Sequence, residues 1–409
     1  MNIKTLFFCL LLLLLTIAVG CRAPMEPIVS KPPYDRPLSP GQQALSKVTN
    51  PSQMPDFTLA SLDLQGLKPA VKKSLNYLSK PSSKQFFPVN GITHQRAVDS
   101  IEAFLNLLDS GLTGSDLNAA IKDKFDVYMS VGCDNQGTVL YTGYYTPIFE
   151  GSLEPSDRFK YPLYKQPDDL VKGLDGEILG RRCSDDKIRP YPPRAVIEDA
   201  MLLRGKELIW LTDPFEVYIA HVQGSAKIKL PSGKIATVGY AANNGHEYKS
   251  IVEELIKDGK ISSSQMSLAT MIDYFKSHVT EIAKYTRMNP RFVFFKQEEG
   301  EPRGSLNEPV TSMRTIATDK SIFPRGCLTF ISTTLPQIKN DRLTLRPYSG
   351  FALDQDTGGA IRAPGRCDIY MGQGMTASEL AGRTYQEGKL YYLFLKSRKN
   401  KSVKHSNEY

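Results

Sequence analysis

The stretch Leu353–Gly374, LDQDTGGAIRAPGRCDIYMGQG, constrains the fold of this chain more than any other. It holds three carboxylates (Asp354, Asp356, Asp368), a Gly358-Gly359 pair and a Pro364-Gly365 step. Gly-Gly and Pro-Gly steps interrupt regular backbone, and the runs beside them, Gly350–Leu353 and Cys367–Tyr370, favour extended chain. The pattern predicts two strands joined by a loop, each carrying an aspartate close to a turn. Thr376-Ala377-Ser378-Glu379 then reads as a capping box that opens a short helix, with Gly382 able to close it. Loop aspartates commonly do no more than cap turns, but on the ends of rigid strands they also suit positioned proton transfer. Both readings stand for Asp356 and Asp368. Asp354 reads as a solvent-facing neighbour on its strand.

The amino terminus carries a different signal. Lys4 precedes an apolar run from Leu6 to Leu15, followed by Thr16-Ile17-Ala18-Val19-Gly20-Cys21. Residues 1–20 read as a secretory signal, too short to span a bilayer comfortably. Gly20-Cys21 resembles a lipobox, which makes Cys21 the lipidated first residue of the mature chain. Arg22 behind it fits sorting to the outer membrane, facing the periplasm. From residue 21 to 56 prolines recur among polar residues, and this stretch reads as an extended tether. Cys133, Cys183, Cys327 and Cys367 remain, and in an oxidising compartment they allow three full pairings.

A length of 409 residues fits two or three domains with sizeable cores. Twenty Tyr and eighteen Phe against one Trp point to β-rich parts and offer ring faces on which a sugar can stack. The formal charge of +8 is not clustered, which argues against nucleic acid and fits an anionic polymer or surface. The five histidines have no HExxH spacing, and G-x-S-x-G and P-loop motifs are absent. The aspartates lack EF-hand spacing. No metal and no cofactor are therefore expected, and acid–base chemistry by carboxylate is what remains.

Along the chain, Leu67–Leu78, Ala97–Leu108 and Ser115–Phe125 keep helical spacing, and Thr138–Tyr145 reads as a strand. Phe215, Val217, Ile219 and His221 alternate with their neighbours, predicting a strand from Phe215 to Val222. Lys227–Leu230 and Lys234–Val238 flank a Pro-Ser-Gly hairpin turn. Helices are expected over His246–Ile256 and Ser264–Phe275, and a strand over Arg291–Lys296. Short strands with dense turns after Val310 suggest a small barrel. The predicted division is residues 57–146, 147–300 and 301–396, with a basic tail from 397 to 409. Overall the chain reads as mainly β with some helices, an α+β protein.

Six stretches in order resemble the membrane-bound lytic murein transglycosylase A family across residues 85–396. They are Tyr141–Pro147 (YTGYYTP), His221–Ser225 (HVQGS), Gly239–Ala241 with Asn244–His246, Asn289–Lys296 (NPRFVFFK), Asp319–Gly326, and Asp356–Ile361 through Asp368–Tyr370. The resemblance implies a double-psi β-barrel with an inserted second β-rich domain and a glycan groove between them. It implies that Asp368 is the sole acid/base and that Asp356 supports it. The implied reaction cleaves the β-1,4 bond between N-acetylmuramic acid and N-acetylglucosamine without water, leaving 1,6-anhydro ends. Thr142, Gly143, Tyr144, Gln223, Gly224, Ser225 and Tyr240 are the candidate glycan contacts, with Gly143 and Gly224 allowing close backbone approach. The implied partners are peptidoglycan strands, the outer membrane through the lipid, and cell-wall synthesis or scaffold proteins. Asn243 stands where the family often has Lys, and Cys367 beside the proposed catalyst is unusual for it. A water-using glycosidase with Asp368 and Asp356, and a non-catalytic wall-binding lipoprotein, remain the alternatives.

Overall fold

Alternating apolar runs in the last third of the chain pair with a strand from its first third and close a ring. The computed structural model describes residues 33–173, 176–262, 268–339 and 342–397. Its elements lie in the compact unit Tyr34–Tyr409. The strands are β1 (Leu45–Lys47), β2 (Phe125–Ser130), β3 (Val139–Thr146), β4 (Ile148–Ser152), β5 (Tyr161–Tyr164), β6 (Leu170–Lys172), β7 (Ile178–Arg182), β8 (Ile188–Arg189) and β9 (Glu207–Leu211). They continue with β10 (Ser225–Lys229), β11 (Ile235–Asn243), β12 (Val293–Glu298), β13 (Thr315–Ala317), β14 (Leu328–Lys339), β15 (Arg342–Asp356), β16 (Arg366–Gln373) and β17 (Tyr385–Leu395).

One sheet runs β1-β2-β17-β14-β15-β13-β16-β3, and a further pairing of β17 with β3 closes its last six strands into a barrel. β13 is parallel to β15, and β16 is parallel to β3. This ring is the double-psi barrel. Between β3 and β13 lies the insert, with a six-stranded sheet ordered β12-β11-β10-β4-β9-β5 and a three-stranded one ordered β6-β7-β8. The expected α+β architecture, a barrel with an inserted β-rich domain, is the one observed.

Helices seal the barrel's outer face. The predicted stripes become helices Leu67–Leu78, His94–Asp109 and Gly114–Lys124. Phe57 and Phe104 pack on Phe351 with ring centroids 5.8 and 5.2 Å away, and Phe57 meets Phe330 edge-on at 4.8 Å. Burying each such ring stabilises the fold by roughly 1.5–3 kcal/mol, so β14 and β15, the strand that carries Asp354 and Asp356, rest on a fixed base.

The structure corrects several sequence-based expectations. Phe215–Val222 is not a strand but most of the helix Pro214–Gln223. The Asp213 carboxylate accepts from the Phe215 N–H at 2.7 Å, Pro214 occupies the first turn, and left-handed Gly224 closes the end. Phe215, Tyr218 and Ile219 are buried at helical spacing, which the alternating pattern concealed. The helix expected from His246 starts only at Ile251, because the His246 ring and the Lys249 N–H are engaged by Tyr191 O and Asn289 Oδ1. The helix near Gly374 spans Gly374–Arg383, so Thr376–Glu379 lies inside it and is not a capping box. Gly382 also lies within it, against Ala269 of the helix Leu268–Ser277. Part of the proposed tether is folded: Leu45–Lys47 pairs with β2, and Ala44, Leu45 and Val48 are buried. Apolar positions in a short strand beside a sheet edge outweigh the proline-rich composition around them. Cys21, the signal segment and most of the basic tail lie outside the described residues.

Candidate active site

β13 is three residues long and fully buried, and it separates the two strands that carry the conspicuous aspartates. Ala317 pairs with Asp356 on β15 and with Asp368 on β16. Asp368 pairs in turn with Thr142 on β3, and Thr142 with Tyr385 on β17. Asp356, Ala317, Asp368, Thr142 and Tyr385 thus form one row across five adjacent strands. Two interstrand spacings, about 10 Å, separate the backbones of the two aspartates.

Each aspartate is held differently. The Thr142 hydroxyl donates to Asp368 Oδ1, and Arg366 Nη2 reaches Thr142 Oγ1 at 3.5 Å. Asp368 is half-buried, and this burial pushes its pKa up to about 6. The Arg366 guanidinium opposes the rise and the Asp356 charge adds to it. Asp356 Oδ1 accepts from the Ser305 and Thr357 N–H groups, both at 2.8 Å, and Oδ2 accepts from the Tyr144 hydroxyl at 2.9 Å. Burial raises its pKa too, while those three donors and the Lys320 charge pull it down. The Tyr144 ring lies 5.2 Å from that of Tyr370, whose hydroxyl shares a 2.8 Å hydrogen bond with Thr146.

Asp354 does not face solvent, contrary to the sequence-based reading. It is fully buried, accepting from Thr318 Oγ1 at 2.8 Å and Tyr392 OH at 2.7 Å, and it pairs with Lys320. β15 is covered on both faces here: its next residue, Gln355, turns to the helix Leu67–Leu78 and donates to Ala70 O at 2.9 Å. Cys133, Cys183, Cys327 and Cys367 are all free thiols.

The structure brings Thr142 and Tyr144 directly to the two aspartates. Three of the other candidate contacts, Gly143, Gln223 and Gly224, have structural occupations. Gly143 faces the helix Gly374–Arg383, where a Cβ would stand 2.7 Å from Ala381 Cα, so its lack of a side chain serves helix packing. Gln223 Oε1 accepts from the Tyr145 N–H at 2.9 Å, which ties the insert's helix to the end of β3. Gly224 takes the left-handed conformation, φ 77°, that ends that helix, with open space beside it. Ser225 is buried at the start of β10. Tyr240 is exposed, and its hydroxyl accepts from Asn243 Nδ2 at 2.5 Å.

Arg291 is half-buried: Nη1 donates to His246 O at 3.0 Å, and the guanidinium lies against Gly359 of the barrel loop. Buried Arg194 donates to Arg291 O at 2.7 Å and to Asn289 O at 3.2 Å, fixing the backbone from which Arg291 projects. Arg366, Ser305 and Lys320 were not singled out from the sequence. Arg366 was accessible to that reasoning, because residues two apart in a strand share a face and it precedes Asp368 by two. Ser305 and Lys320 reach the site only through the fold.

Two family models match the chain: the MltA specific insert domain over residues 140–296 and the 3D domain over 314–394. The chain is 30% identical over 272 residues to membrane-bound lytic murein transglycosylase A of Escherichia coli (strain K12), covering 66% of this chain and 69% of that one. A crystal structure of membrane-bound lytic murein transglycosylase from Agrobacterium tumefaciens superposes with a TM-score of 0.71 at 26% identity, over 86% of this chain and 98% of that one. The Escherichia coli protein with bound chitohexaose superposes with a TM-score of 0.66 at 25% identity, over 89% and 99% of the two chains. In sequence, in domain order and in fold, the chain belongs to the membrane-bound lytic murein transglycosylase A family.

Proposed function

We propose that this protein is a peptidoglycan lytic transglycosylase in which Asp368 alone serves as general acid and then as general base. The carrying observation is the contrast within one strand row. Asp368 has a raised pKa and one hydroxyl donor, whereas both oxygens of Asp356 are already engaged. A pKa of about 6 leaves part of the population protonated near neutral pH, as a general acid requires.

In the forward step, protonated Asp368 donates its proton to the glycosidic oxygen as the bond to muramyl C1 breaks. The resulting Asp368 carboxylate takes the proton from the muramyl O6 hydroxyl while O6 bonds to C1. The net result is one anhydro end and one free hydroxyl, with the aspartic acid regenerated and no water consumed. The nucleophile belongs to the sugar, so a second carboxylate has no water to activate, and the intramolecular attack gains a large effective concentration. Asp356 acts through its fixed charge, which favours the protonated form of Asp368. The chitohexaose bound by the Escherichia coli relative supports an oligosaccharide of acetamido sugars as ligand.

The lipobox at Cys21 supports a lipid anchor at the outer membrane, with the catalytic body facing the periplasm. Among the described residues no helix is long and apolar enough to cross a membrane. Mass spectrometry of muropeptides released from purified sacculi tests the activity. Fragments ending in 1,6-anhydromuramic acid are expected, and fragments heavier by one water would instead support the two-carboxylate glycosidase. No released fragments at all would favour a wall-binding protein.

A further inference from the structure

The turn Ala363-Pro364-Gly365, which delivers the chain into β16 three residues before Asp368, is clamped at three backbone polar groups, each by a different part of the molecule. The Ala363 N–H donates to Asp319 Oδ2 at 3.0 Å. Pro364 O accepts from the Ser130 hydroxyl at 2.8 Å, and Gly365 O accepts from the Leu140 N–H at 2.8 Å. Gly365 has no room for a side chain: a Cβ would stand 2.4 Å from Tyr34 O and 2.7 Å from Cys133 Cβ. Asp319 and Ser130 are both buried. The other Asp319 oxygen accepts from Ser321 N at 3.0 Å and from Ser321 Oγ at 2.6 Å, so the carboxylate cannot swing away from Ala363 without losing partners.

Ala363 itself is in an unfavourable conformation. Its φ is 66°, in the left-handed region that a Cβ disfavours, and it precedes a proline, which favours extended backbone at that position. Such a backbone persists only where its surroundings over-determine it. Thr318 and Thr357 complete the frame: the Thr318 N–H donates to Asp356 O at 3.2 Å, and Thr357 Oγ1 donates to Thr318 O at 2.9 Å. The segment Thr318-Asp319 therefore grips both ends of the loop that runs from Asp356 to β16.

The geometry points to Asp319, with Ser130, as a positioning residue that holds Ala363 left-handed and thereby sets where Asp368 stands relative to Thr142. Asp319 touches no reacting atom in this scheme and acts through the loop. The inference rests on Asp368 being the acid/base, and the two ideas fail separately. An active D368N enzyme overturns that reading, whereas an inactive D368N enzyme with a fully active D319A enzyme overturns only this one.

The test compares the full-length wild type with D319A, S130A, A363G and the double variant D319A/A363G in steady-state release of anhydromuropeptides. D319A is expected to lower kcat by about 10- to 100-fold, the effect of misplacing a reacting group by about an ångström, with KM close to wild type. Glycine tolerates φ 66° without help, so A363G in the D319A background is expected to recover most of the lost kcat, while A363G alone leaves kcat near wild type. Failure of that rescue, or a loss in KM with kcat unchanged, contradicts a positioning role. If D319A does not fold, S130A carries the test: a kcat loss rescued by S130A/A363G supports the clamp, and wild-type kcat in S130A overturns it.

Discussion

Asp354 and Asp368 are the same residue type in the same barrel, yet the fold treats them in opposite ways. Asp354 is sealed from solvent, with Lys320 against one oxygen and the Thr318 and Tyr392 hydroxyls on the other. Asp368, on the far side of β13, keeps solvent access, receives one threonine hydroxyl and is desolvated more than it is compensated. A carboxylate with its lone pairs filled is a structural charge; one held short of partners keeps its proton to near-neutral pH. In the proposed mechanism it is the supply of donors, not residue type, that sets Asp368 apart as the acid.

The contrast predicts different failures for the two residues. The largest expected effect is on the rate with D368N, which should lose about 10³- to 10⁴-fold in turnover, roughly 4–5.5 kcal/mol of barrier, while remaining folded. Release of anhydromuropeptides together with a thermal melt measures both. Next is K320M, which strands the Asp354 charge in the barrel and should destabilise by about 3 kcal/mol or slightly more, read from denaturant unfolding. Pairing it with D354L should recover much of that loss, since an apolar replacement of a buried pair costs little. Little recovery would mean that the pair orders the barrel by more than its mutual charge.

A smaller effect concerns stability at Asp368 itself. Its folded pKa of about 6 lies above the unfolded value of about 3.9. Its favourable contribution is thus fully present below about pH 4 and is lost as pH rises through about 6. Asparagine does not titrate, so D368N should gain on the wild type across that window, on the order of 2 kcal/mol by pH 7. Melting temperatures at pH 4 and pH 7 provide the check. Smallest are the shifts of the basic limb of the pH–rate profile. R366Q removes the charge that lowers the Asp368 pKa and should move the limb to higher pH, whereas D356N removes a charge that raises it and should move the limb down. Shifts of the same sign in both variants would break the electrostatic account.

The barrel was legible because its strands are apolar runs bounded by glycine and proline: Gly350–Leu353 lies within β15 and Cys367–Tyr370 within β16, but β14 and β15, at 12 and 15 residues, run well beyond the short strands expected. It misread Pro214–Gln223 because residues 215, 218, 219 and 222 satisfy a helical period while odd and even positions also alternate. Only the Asp213-Pro214 start and the Gly224 stop distinguish the two. Asp356 and Asp368 were visible as carboxylates at turns, but their difference was not, since it depends on Ser305, Tyr144 and Thr142, which are brought in from distant segments. Asp354 was misjudged for the same reason: Thr318, Lys320 and Tyr392, which enclose it, come from distant segments. Thr142 and Tyr144 were singled out as sugar contacts, and the fold gives them carboxylates to hold.

The most direct measurement digests purified sacculi in ¹⁸O-enriched water and follows the isotope in the muramyl ends. If the sugar's own O6 closes on C1 with Asp368 as the only proton carrier, the wild type yields anhydro ends free of the label, and D368N yields none. Labelled reducing ends from the wild type, or unlabelled anhydro ends from D368N at the wild-type rate, would contradict the account.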